Sequence, residues 1–148
     1  MTRARIGLVA SLLALVTPAA AGTTVQDAHE QAALEFYDLA RNHEDFAAAA
    51  KYLGSRLNQH NANAADGIDG LKAFIELRHA QLPKAESQLE GAFAEGDFVI
   101  LRVHSIRAPG ERGAAIVDIF RLQNGKVVEP WHVVQSIPEP GANAITRF

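Results

Sequence analysis

The chain has 148 residues, 48% of them hydrophobic and 21% charged, and no cysteine. That is enough for one domain with a real core, and it excludes thiolate catalysis, cysteine zinc sites and disulfide staples. Seventeen acidic residues outnumber 14 basic ones, for a net charge of −3, which argues against a nucleic-acid groove because such a groove needs a basic stripe.

The chain begins "MTRARIGLVASLLALVTPAAAG". Arg3 and Arg5 form a positive start, the apolar run from Ile6 to Val16 is too short to span a bilayer, and Ala19-Ala20-Ala21 offers a small-residue cleavage site. Residues 1–21 therefore read as a signal peptide. A domain over residues 22–148 is left, periplasmic or secreted, with no membrane contact after cleavage. Loss of Arg3 and Arg5 leaves 12 basic residues against 17 acidic ones, a net of −5.

A first helix is expected from about Gln26, with Thr24 and Asp27 spaced as a capping box and Leu34, Phe36, Tyr37, Leu39 and Ala40 as its apolar residues. "RNHEDF" interrupts it, and Asn42 or Asp45 is placed to cap a shorter helix through "FAAAAKYL", which Gly54 stops. "SRLNQHNANAADGIDG" is polar and turn-rich, a loop with room for a short extended piece at Arg56–Gln59. "GLKAFIELRHAQL" gives a third helix that buries Leu71, Phe74, Ile75 and the stem of Arg78 and ends at Pro83.

From Lys84 the period changes to two. "KAESQLEGAFAEGD", "FVILRVHSIR", "AAIVDIFRLQ" and "KVVEPWHVVQSI" read as four strands, the last two joined at Asn124-Gly125. Helices first and an antiparallel sheet after them indicate an α+β domain, with helices on one face of a curved sheet of about four or more strands.

Asp118 and His132 are out of place on such strands. A two-residue turn would set Asp118 opposite Trp131. A three-residue loop with a bulge at Gly125 would set it opposite Pro130 and put Ile116, Asp118, Phe120, Val128, Pro130, His132 and Val134 on one face. Val117, Ile119, Val127, Trp131 and Val133 then make the other face apolar too. The helices can cover only one side, so the second is expected to pair with another copy of the chain.

The stretch "EGDFVILRVHSIRAPGERGAAIVDIFRLQNGKVVEPWHVVQSIPEP", with helices before it, resembles the SnoaL-like family of the NTF2-like superfamily. Relatives commonly read "VDIFRLENGKIVEHWD" where this chain reads "VDIFRLQNGKVVEPWH". The resemblance covers nearly all of residues 22–148. It implies a cone, in which a bent antiparallel sheet wraps three helices around a pocket, and homodimers through the sheet. The superfamily includes polyketide cyclases, ketosteroid isomerases and epoxide hydrolases, all of which work with polar side chains inside apolar pockets. Fold alone does not choose among them. By resemblance, Asp118 matches the strand position of the isomerases' pocket acid, and His60 falls at or near their general base. Pro130-Trp131-His132 stands where the cyclase pattern has His-Trp-Asp.

A bare carboxylate at Asp118 must be protonated or paired when buried. A neutral acid there would donate to a substrate carbonyl; the alternative is a structural aspartate paired with an arginine such as Arg102. His132 can serve as acid or base near neutral pH. His60, Asp118 and His132 are thus the expected catalytic set, and Tyr37, Phe74, His104, Phe120 and Val134 the expected ligand contacts. No cofactor is expected. No metal is expected either, since the histidines lack the spacing of a metal-binding helix. The expected partner is a small hydrophobic or carbonyl-bearing molecule. The expected activity is proton transfer of aldol or isomerase type, as a cofactor-independent lyase or isomerase. A non-catalytic small-molecule binder or dimeric interaction module is the alternative.

Overall fold

A computed structural model describes residues 24–138. The expected signal peptide, and with it the boundary between residues 21 and 22, lies outside the described residues. Helix α1 runs Val25–Arg41, α2 Phe46–Ala49, followed by a 3-10 turn Ala50–Tyr52, and α3 Gly67–Gln81. Strands β1 Glu86–Glu95, β2 Phe98–Ile106, β3 Ala114–Gln123 and β4 Lys126–Ser136 form one antiparallel sheet in sequential order. The fold is α+β, three helices against a curved four-stranded sheet.

Thr24 starts α1 as its sequence promises. Its hydroxyl accepts from the Asp27 N–H, and the Asp27 carboxylate accepts from the Thr24 N–H at 2.8 Å. This also holds the Asp27 carboxyl below its usual pKa. Ala33, Phe36, Tyr37 and Ala40 follow the i, i+3, i+4, i+7 spacing and are buried on the sheet. Asp45, rather than Asn42, caps α2, accepting from the Ala48 N–H at 2.9 Å. Asn42 instead turns to β1, where its side-chain amide accepts from the Ser87 N–H and donates to the Ser87 carbonyl.

On the inner face of the sheet, Val99, Leu101, Val103, Leu122 and Val127 are fully buried, each contributing roughly 1.5–3 kcal/mol by removal from water. The residues after the 3-10 turn strap the free edge of β4. Leu53 bridges Val127 in parallel fashion, and the N–H groups of Gly54, Asn58 and His60 donate to the carbonyls of Val127, Val128 and Pro130. The expected extended piece therefore exists, and it is a sheet-edge cover.

The β3–β4 hairpin differs from both expected registers. Asn124 and Gly125 have φ of 52° and 71°, as a two-residue type I′ turn requires, and Gln123 pairs with Lys126. A bulge then shifts the ladder between Arg121 and Leu122, so that Asp118 pairs with His132. The shared face of Asp118 and His132 survives, but for a different reason. Val127, expected outside, is core beside Leu122, and Val128, expected inside, is the extra residue of the bulge.

Among the described residues, no helix is long and apolar enough to cross a membrane, and no cluster of three His, Cys, Asp or Glu could hold a metal ion.

Candidate functional site

Three strands position the central pair. Asp118 on β3 lies between Leu101 of β2 and His132 of β4. It is 4% exposed. Such burial is tolerable because His132 Nδ1 stands 2.6 Å from Asp118 Oδ1. The buried Asp118 is therefore paired, and its partner is the imidazole. Arg102, the alternative, donates to the Glu90 carbonyl. Asp118 Oδ2 is buried and has no hydrogen-bond partner, so the carboxylate keeps one acceptor unused.

With Nδ1–H donating to the carboxylate, His132 Nε2 is the nitrogen left to accept a proton. The His132 side chain is 16% exposed and borders two spaces. One is a cavity of ≈ 40 Å³ whose walls include Phe36, Tyr37, Asn61, Asp118, Phe120 and Pro130. A water needs about 10–15 Å³, so this cavity holds a few waters and no ring. The other is an open groove of ≈ 570 Å³, lined by Phe74, Leu77, Ile116 and Val134 among others. Tyr37, Arg41, Phe74 and His132 line both.

Tyr37 is buried on α1, near the Ser87 side chain. Burial first, and then the charge of Asp118, pushes its hydroxyl up to about 12. It is a neutral donor at every physiological pH.

The expected residues divide by face. Asp118, His132, Tyr37, Phe74 and Phe120 are brought together around the cavity, and Phe120 is fixed by an edge contact with Phe36 at 5.7 Å. Val134 reaches the groove. His104 does not join them. It pairs in register with Ala115 on the opposite face, and its Nε2 meets the Arg112 carbonyl at 2.7 Å. His60 does not join them either. It is exposed, stacks on Trp131 with ring centroids 4.5 Å apart, and contacts Glu129 Oε1 at 2.7 Å. His60 and Arg121 hold the Glu129 carboxyl below the usual carboxylate range. The strap explains the placement. Leu57 is buried, so alternation turns Gln59 and Asn61 inward and His60 outward. Counting by twos from Leu57 would have found Gln59 and Asn61, which the sequence reading missed.

A family model described as a SnoaL-like domain matches residues 33–129. Among solved structures, the chain is similar to a candidate polyketide cyclase from Bacillus cereus ATCC 10987, at 20% identity over 73% of this chain and 74% of that one, TM-score 0.64. It is also similar to a candidate ketosteroid isomerase from Kribbella flavida DSM 17836, at 14% identity over 83% and 91%, TM-score 0.65. A candidate isomerase of the SnoaL-like family from Agrobacterium tumefaciens str. C58 shares 16% identity over 74% and 98%, TM-score 0.63. At these identities the likenesses establish the fold. No curated protein matches the chain.

Proposed function

Because the chain belongs to the SnoaL-like domain family, we propose that it moves a proton next to the carbonyl of a small cyclic or aromatic compound. The observation that carries this reading is the 2.6 Å contact between His132 Nδ1 and the buried Asp118 carboxylate. The carboxylate fixes the ring and its tautomer, and Nε2 is the base. Nε2 takes the α-proton, the C–H electron pair moves into the new C=C bond, and the carbonyl oxygen becomes an enolate. The Tyr37 hydroxyl is the donor for that oxygen. Return of the proton to another carbon is isomerisation, and attack of the enolate on a second carbonyl is aldol closure. The small cavity has no room for a ring, so the substrate body lies in the groove and only its reacting edge meets His132.

The small cavity also favours a second reading, a binder without turnover. Incubation with a planar aryl methyl ketone in deuterated water separates the two. Exchange at the α-carbon that falls by about 10²–10⁴ in His132→Gln supports catalysis. Binding with no exchange above the solution rate supports the binder.

Two broader readings accompany this one. The leader-like residues 1–21 support export to the periplasm or outside the cell. The outer face supports a homodimer. Phe93, Ile100, Ile119 and Trp131 form one cross-strand row there, flanked by Phe98, Val117 and Val133, and Phe93 and Val133 are more than half exposed. Sedimentation of the wild type as a dimer and of Ile100→Glu as a monomer is the expected result; a monomeric wild type sinks the pairing.

A further inference from the structure

The groove beside His132 carries charge of one sign. Arg41, Arg78 and Arg107 line it, and among the described residues no aspartate or glutamate does, although acids outnumber bases in the chain. Arg41 ends α1 and Arg78 lies in the last turn of α3. Packing of the two helix ends makes them neighbours, with Arg78 Nη1 3.4 Å from the Arg41 carbonyl. The Arg41 guanidinium sits over the rings of Phe74 and Tyr37, 5.4 and 5.9 Å from their centroids. Burial, and after it the charge of Arg41, pulls the Arg78 pKa below its usual value, as two crowded cations require. Neither arginine forms an ion pair with a carboxylate among the described residues. Asp118 is the nearby acid, and its Oδ1 is committed to His132.

Two half-buried guanidiniums without an ion-pair partner among the described residues, beside an apolar wall, describe a receptor for an anion attached to an apolar body. A carboxylate matches the fork of an arginine. We propose that Arg41 and Arg78 form a carboxylate subsite at the groove mouth, so that the molecule accepted there is a planar aromatic ketone bearing a carboxylate. The identification of the ketone rests on the proton-transfer reading of His132. In this arrangement the carboxylate meets the arginines, the ring lies against Phe74, Ile116 and Val134, and the carbonyl edge reaches His132.

The test is calorimetric titration of the full-length protein with an acetyl-naphthoate and with its methyl ester, which differ in one charge. The acid should bind at least about tenfold more tightly, the value of one hydrogen bond to a charged group. Added salt should narrow the gap, Arg78→Met should close it, and Arg78→Lys, which keeps the charge, should retain part of it. Equal affinities in the wild type overturn the subsite, whatever the variants do, and so does a gap that persists in a folded Arg78→Met. Deuterium exchange into the acetyl group of the ester reports His132 without the carboxylate. Tight binding of the acid with no exchange keeps the subsite and removes the catalysis, whereas exchange without preference for the acid does the reverse.

Discussion

Removing the imidazole from the central pair should do more harm alone than together with its partner. In His132→Ala the Asp118 carboxylate loses its contact at Oδ1 while Oδ2 already lacks one, so a buried charge is stranded. Breaking a buried pair this way costs about 3–5 kcal/mol. His132 borders the open groove, so water can approach once the ring is gone. The lower end, about 3 kcal/mol, is therefore expected, or roughly 10 °C in Tm for a domain of this size. Adding Asp118→Asn removes the charge and leaves a neutral amide, whose unmet hydrogen bonds cost only about 1–3 kcal/mol. The double variant should thus be more stable than His132→Ala, by up to about 2 kcal/mol once the amide's own cost is subtracted. Urea unfolding of the wild type, both single variants and the double variant at pH 7 gives the cycle, provided the slopes agree. A double variant that is no more stable than His132→Ala would show that no charge is stranded, and the account of Asp118 as a buried carboxylate held by His132 would fall.

Other consequences can be measured as directly. Tyr37 titrates near 12 in the folded chain against 10.0 ordinarily, so its contribution is fully present below pH 10 and is lost as the pH rises toward 12, by about 2–3 kcal/mol; unfolding measured across that window should lose this slope in Tyr37→Phe, and an unchanged slope refutes the assignment. Gly70→Ala would normally gain about 1 kcal/mol in a helix, but a Cβ there would lie 2.0 Å from the Ala65 carbonyl oxygen. The crowding costs about 1–3 kcal/mol, so a net loss in thermal unfolding is expected, and a gain would show that the loop before α3 yields freely.

Much of the fold could be read because its signals are local. The Thr24 box, the stop at Pro83 and the change of period at Lys84 each involve a few neighbouring residues, and each element appears within a few positions of its signal. The hairpin was harder. Asn124-Gly125 specifies the turn, but nothing in "KVVEPW" marks Val128 as a bulge, and the extra residue decides which of Val127 and Val128 is core. Asp118 and His132 stand out as polar residues on apolar strands. His60 misled because loop residues take their side from whatever they dock against, here the edge of β4. Arg41 falls in the interruption after the first helix and the stem of Arg78 on the buried face of the third, and only the packing of α1 beside α3 makes them a pair.

The treatment of the sheet's two borders has a further consequence. Residues 53–60 occupy the free edge of β4 from Val127 to Pro130, while on β1 Asn42 takes both main-chain groups of Ser87, Gln26 donates to the Ala94 carbonyl and Arg102 to that of Glu90. An incoming strand would have to strip these contacts before it could zip on. Fibre-like growth is obstructed at both ends, and a chain without disulfides can display an oily sheet surface without inviting runaway stacking along its rims.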